Sequence, residues 1–197
     1  MSKNKKRIGI FGGAFDPPHL GHLISAQCAA EKLGLEKMIF IPCGKHPFKQ
    51  DNLIASADQR YAMTKLAVAG NPIFDVSDIE VIKTNTTYTV ETLEHFYTVY
   101  PNDEMFFFIG KDNVKDFSAW KNPHRIMELA TVVVLDRIPF IEDVAASFAK
   151  QFAFLDSPTI EISSSEIRQR ILEGKSVRYL IRNGVELFID MTGLYRD

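Results

Sequence analysis

Apolar residues along this chain fall in short, nearly unbroken runs, and between the runs they recur at helical spacing. Arg7–Phe11, Lys37–Ile41, Ile73–Val76, Glu104–Ile109, Thr131–Leu135 and Phe152–Leu155 read as strands. Most are apolar at consecutive rather than alternate positions, the pattern of strands covered on both faces of a parallel sheet. Leu23, Ala26, Ala30 and Leu33 share one helical face, and Gly34 follows as a stop. Met63, Leu66 and Ala67 predict a second helix entered near Ser56, and Val90, Leu93 and Tyr97 predict a third. Shorter helical patterns cover Pro123–Leu129 and Ile141–Lys150, and helices over Ser164–Glu173 and Arg178–Met191 give a helical C-terminus. Strands alternating with helices predict a doubly wound α/β fold with a mainly parallel sheet. No repeat, low-complexity segment or linker interrupts the pattern, so one domain is expected over residues 1–197.

Composition narrows the class. At 197 residues and 46% hydrophobic, the chain can bury a proper core. A formal charge of -2 gives no basic excess for a nucleic acid. No apolar run approaches the roughly 20 residues of a membrane span, and "IGIF" is too short for a secretory leader. Cys28 and Cys43 show no metal spacing, which fits a reduced, cytoplasmic setting. A homo-oligomer is compatible with all of this.

The chemistry concentrates in two turns. The first, "FGGAFDPPHLGH", runs from Phe11 to His22 between a strand and a helix. Ligands of such sheets bind beyond the carboxyl ends of the strands. Gly12 and Gly13 are expected to let the backbone approach a ligand and to adopt unusual dihedrals. Pro17 and Pro18 hold the loop away from helix, which begins near Leu20 and offers free N–H groups to an anion. His19 and His22 are neighbours on one face if the helix continues through them. Two imidazole donors there suit a phosphoryl centre gaining charge in its transition state. Half of a metal site, with Asp16 or His46 as further ligands, is the second reading. The absence of G-x-G-x-x-G argues against a dinucleotide-dependent dehydrogenase.

The second turn, "ISSSEIRQRI", follows the last strand. Ser163 with Glu166 fits a capping box. Ser164, Ser165 and Arg168 add hydroxyls and a fork-shaped cation at the helix start, a good phosphate site.

Together the turns resemble the nucleotidyltransferase superfamily with the HxGH signature. "GGAFDPPHLGH" matches G-G-x-F-D-P-x-H-x-G-H, and "ISSSEIR" is similar to I-S-S-T-x-I-R with Ser165 in place of threonine. The resemblance implies a Rossmann-like nucleotidyltransferase fold. It implies that His19, His22 and Arg168 stabilise nucleotidyl transfer, with the histidines binding ATP phosphates, that Ser164, Ser165 and Arg168 hold the ATP polyphosphate, and that Gly12, Gly13 and Phe15 contact ATP. Four middle segments resemble bacterial nicotinate-nucleotide adenylyltransferases. "IPCGKHPFK" resembles P-x-x-x-P-P-H-K and carries Lys49, with Phe48 in place of histidine. "TNTTYTVET" resembles G-P-S-Y-T-x-D-T, giving Tyr88, Thr89 and Thr92, with Asn85, Thr86 and Thr87 replacing Gly-Pro-Ser. "FFFIGKDNVKDFSAWK" resembles F-x-I-G-x-D followed by K-W-Y, giving Gly110 and Asp112 near adenosine and Trp120 stacked on the nicotinate ring, with Lys121 replacing tyrosine. "VVVLDRIP" resembles the strand ending in an arginine near ATP, here Arg137.

The resemblance implies adenylyl transfer from Mg2+-bound ATP to nicotinate mononucleotide, with Lys49, Tyr88, Thr89 and Trp120 on the mononucleotide side. Nicotinamide mononucleotide or a phosphopantetheine-type acceptor is the alternative substrate. A nucleotide-binding regulatory module without turnover is the alternative outside enzymology.

Overall fold

A computed structural model describes residues 5–45, 53–135, 148, 151–158 and 160–197. The elements are β1 (Arg7–Gly13), α1 (Leu20–Leu33), β2 (Lys37–Pro42), α2 (Ala57–Val68), β3 (Phe74–Val76), α3 (Thr89–Val99) and β4 (Glu104–Gly110). After two short 3-10 turns come α4 (Pro123–Leu129), β5 (Thr131–Leu135), β6 (Ala153–Leu155), α5 (Ser164–Leu172) and α6 (Asn183–Thr192). The strands form one sheet of order β3-β2-β1-β4-β5-β6. β1 pairs parallel with β4 in the register Ile8↔Met105 and Ile10↔Phe107, β4 with β5, and β5 with β6. The order reverses direction after β1, so β1 and β4 flank the switch point of a doubly wound sheet, as the sequence pattern requires.

The sequence places most elements to within two residues. The expected helix over Ile141–Lys150 lies outside the described residues except for Phe148. The C-terminal helix is a correction. It begins at Asn183, not Arg178. Arg178 and Ile181 instead form an isolated β-bridge, and Tyr179 takes a φ of 66°, which no helix accommodates. Helix starts obey local chemistry elsewhere. Ser56 caps α2 through a full capping box with Gln59, and Gly34 ends α1 at a φ of 61°.

The chain divides into two compact units. One comprises Met1–Gly12, Ser25–Ile39 and Tyr88–Thr159; the other comprises Gly13–Ile24, Phe40–Thr87 and Ile160–Asp197. The division falls inside β1, α1 and β2. In the first unit Ile8, Ile10, Phe108, Val132, Val133 and Val134 are buried strand residues. In the second unit Met63 and Ala67 of α2, Ile167 of α5, and Val185 and Ile189 of α6 form one apolar cluster that Tyr195 joins.

Candidate active site

In the second unit, the loop after β1 is shaped by its own side chains. Neither Gly12 nor Gly13 has a positive φ; the left-handed residue is Phe15, at 50°. This corrects the expectation of unusual glycine dihedrals. Gly13 is required sterically instead, because a Cβ there would come within 2.8 Å of the Phe15 ring. That ring is buried, lies edge-on to His22 at 5.0 Å between centroids, and packs on Phe40.

His19 stands immediately before α1, and His22 is the third residue of that helix. The Nδ1 of His22 accepts the backbone N–H of His19 at 3.2 Å. A glutamate at this place in a capping box would do the same, so the spacing of the two histidines has a local structural cause. The bond also fixes the tautomer: a neutral His22 with an accepting Nδ1 carries its proton on Nε2, as a donor. The two rings lie 3.7 Å apart and tilted by 30°. His19 is buried and its Nδ1 has no hydrogen-bond partner among the described residues. Burial lowers the His19 pKa to about 4. Burial, and secondarily the charge that His19 would carry, hold His22 well below the usual histidine range. Both rings are therefore neutral hydrogen-bonding groups at pH 7.

The second turn is bonded directly to the first. Arg168 on α5 donates to the carbonyl of Asp16 at 2.8 Å and to the hydroxyl of Ser165 at 3.2 Å. The Ser164 hydroxyl donates to the carbonyl of Pro17 at 2.8 Å. Ser163 caps α5 by accepting the Glu166 N–H at 3.1 Å, but Glu166 stays exposed and returns no bond, so the expected capping box is half made. The first amides of α5, those of Ser164 and Ser165, precede its intrahelical bonds and remain available to an anion. Arg168 and Ser164 are thus bonded to the carbonyls of Asp16 and Pro17, in the loop that leads into His19 and His22.

The sequence marks Asp16 only as a metal ligand. Its carboxylate is 1% exposed and accepts the N–H groups of Ile54 at 2.8 Å and Ala55 at 3.1 Å, and the hydroxyl of Tyr195 at 2.7 Å. A carboxylate so engaged is a structural acceptor. Among the described residues no group of three His, Cys, Asp or Glu side chains could hold a metal ion. Cys43 is buried, and burial raises its pKa against the opposing effect of Arg60, which donates to its sulfur at 3.3 Å.

In the first unit, Gly110 ends β4. Trp120 is half-buried, its ring edge-on to Phe107 at 6.2 Å and tilted on Phe117 at 5.3 Å. Tyr88 immediately precedes α3 and Thr89 opens it. In the sequence Lys121 stands out only as a replacement for tyrosine. Its ammonium sits 4.2 Å over the Tyr88 ring and 2.7 Å from the Glu91 carboxylate. The cation lies against the Tyr88 ring, a contact a tyrosine at 121 could not make in the same way. Lys49, His46 and Arg137 lie outside the described residues, as does the side chain of Asp112.

Residues 10–170 match the family model described as Cytidylyltransferase-like. The chain is 39% identical over 199 residues to the "Probable nicotinate-nucleotide adenylyltransferase" of Desulfitobacterium hafniense (strain Y51), with 97% of this chain and 96% of that protein covered. It is 42% identical over 191 residues to a protein of the same name from Thermus thermophilus, covering 96% of this chain and 100% of that one. The solved structure of Plasmodium falciparum nicotinic acid mononucleotide adenylyltransferase complexed with NaAD shares the fold, at a TM-score of 0.78 and 20% identity, covering 96% of this chain and 97% of that one.

Proposed function

The chain belongs to the cytidylyltransferase-like family, among the bacterial nicotinate-nucleotide adenylyltransferases, and we propose that it transfers the adenylyl group of ATP to nicotinate mononucleotide. The products are deaminated NAD and pyrophosphate. The observation that carries the chemistry is the bond from His19 N–H to His22 Nδ1, in a turn to which Arg168 is also anchored. An accepting Nδ1 leaves the Nε2–H of a neutral imidazole as donor, and preorganised donors and cations are what a phosphoryl centre gaining charge requires.

A phosphate oxygen of the mononucleotide attacks the α-phosphorus of ATP in line. The bond from that phosphorus to the bridging oxygen breaks, and pyrophosphate leaves with the electron pair. The nucleophile is already an anion at neutral pH, so no residue need remove a proton. His19, His22 and Arg168 stabilise charge on the phosphoryl oxygens, and positioning supplies the rest. The amides of Ser164 and Ser165 hold the polyphosphate. Gly12, Gly13, Phe15, Gly110, Asp112 and Arg137 are assigned to ATP, and Lys49, Tyr88, Thr89 and Trp120 to the mononucleotide. Magnesium enters as part of the ATP substrate, its oxygens supplied by phosphates and water. Consumption of ATP and the free cysteines Cys28 and Cys43 fit a cytoplasmic enzyme. No helix among the described residues is long and apolar enough to cross a membrane.

The test is pyrophosphate release from ATP with nicotinate mononucleotide, nicotinamide mononucleotide and 4′-phosphopantetheine in parallel. Release is expected with the first, and His22→Ala should lower it about 10²- to 10³-fold. Preference for another acceptor would reassign the substrate. ATP binding without release under any acceptor would make the chain a regulatory module.

A further inference from the structure

A tyrosine in the segment after α6 reaches the phosphate loop. Tyr195 is 4% exposed. After α6 ends, Gly193 and Tyr195 take φ values of 68° and 66°, and this double reversal turns the phenol inward. A tyrosine in the left-handed region is strained, and such strain persists only where surroundings enforce it. Here the ring enters the apolar cluster of α2, α5 and α6, and the hydroxyl donates to Asp16 at 2.7 Å. The same aspartate offers its backbone carbonyl to Arg168 at 2.8 Å, and Pro17, next in the chain, accepts the Ser164 hydroxyl. The phenol thus holds the carboxylate of a residue whose carbonyl takes the Arg168 guanidinium at 2.8 Å and whose carboxylate itself lies 3.9 Å from it.

We propose that Tyr195 is a positioning residue for adenylyl transfer: through Asp16 it sets the peptide that aligns Arg168, so the segment after α6 is part of the phosphate-site architecture. The proposal rests on the adenylyl-transfer reading for its consequence in turnover, and on geometry alone for its consequence at Arg168. Neither Asp16 nor Tyr195 touches substrate on this view. The segment need not bear on the amides of α5, so the effect should fall on turnover more than on ATP affinity.

The test is Tyr195→Phe, which keeps the ring and deletes one hydrogen bond. At a temperature well below its melting point, kcat should fall roughly three- to tenfold with little change in KM for ATP. In an Arg168→Lys background the same substitution should cost less than about twofold, because its route of action is already lost. An unchanged kcat, or an equal fall in both backgrounds, overturns the proposal. A readout independent of turnover is nitrogen-15 NMR of the Arg168 side chain, assigned by its loss in Arg168→Lys. Its Nε–H should become more mobile in Tyr195→Phe, and an unaltered signal overturns the proposal even if the wild type releases no pyrophosphate. Should Tyr195→Phe fail to fold, Tyr195→Ala is assayed with added phenol or toluene. Restoration by phenol alone supports the hydroxyl's role, and equal restoration by both overturns it.

Discussion

The imidazole of His19 closes over Gly21: a Cβ there would stand 3.0 Å from its Nδ1 and 3.1 Å from its Cε1, close enough that the ring would have to shift by a few tenths of an ångström. The glycine between the two histidines thus lets the first ring lie against the helix without displacement. Gly21→Ala adds a better helix former, worth up to about 1 kcal/mol, so stability should change little while the ring is displaced. Turnover is expected to fall about tenfold or more, as for other misplaced catalytic groups. Wild-type turnover in this variant would show that the ring's position does not matter.

Acid should destabilise the fold through the histidine pair. His19 has a folded-state pKa of about 4, below its ordinary 6.5. Between those values the unfolded chain binds the proton and the folded chain does not. Stability is therefore full above about pH 6.5 and declines as pH falls toward 4, by up to about 3 kcal/mol from His19 alone. His22, lowered by burial, acts in the same direction. Urea unfolding at pH 7, 5.5 and 4.5 measures the slope, and His19→Gln should flatten it. A slope identical in that variant would locate the acid sensitivity elsewhere.

Trp120 has one part of its ring against Phe107 and Phe117 and remains half-exposed. Stacking of an aromatic side chain on a base is worth about 1–3 kcal/mol by alanine substitution. Trp120→Ala is expected to raise KM for nicotinate mononucleotide about tenfold or more and to spare KM for ATP. Steady-state kinetics with each substrate varied in turn decides this, and equal losses would remove Trp120 from the acceptor side.

Arg60 is 1% exposed, and its guanidinium donates to the carbonyls of Ala14, Cys43, Gly44 and Ala55 as well as to the Cys43 sulfur. Arg60→Met keeps the apolar stem but strands these buried acceptors. A loss of about 3–5 kcal/mol in urea unfolding is expected. A loss below about 1 kcal/mol would mean that water replaces the guanidinium without difficulty.

What can be read from the chain follows the range of the interactions. α4 lies at Pro123–Leu129 and β5 at Thr131–Leu135, where consecutive apolar residues and a proline at the helix start determine the outcome locally. The histidine turn is legible too, because its glycines, prolines and histidines act on one another within about a dozen positions. Arg178–Arg182 misleads because Leu180 and Ile181 continue a helical pattern, while the φ of Tyr179 obeys tertiary packing. Asp16 reads as a metal ligand because its partners, Ile54, Ala55, Arg168 and Tyr195, are 38 to 179 residues away. Arg60 goes unread in the sequence, since the backbone carbonyls that hold it leave no mark there.

The low basicity of the two imidazoles also links nucleotide binding to protons. On the proposed placement, an anionic polyphosphate beside them favours their charged form, so ATP is expected to bind with proton uptake in mildly acidic solution. The heat of binding will then depend on the ionisation enthalpy of the buffer, and ATP will be a stronger stabiliser at pH 5.5 than at pH 7.5. In the acid range where the free protein is expected to weaken, the proposed substrate would protect it most.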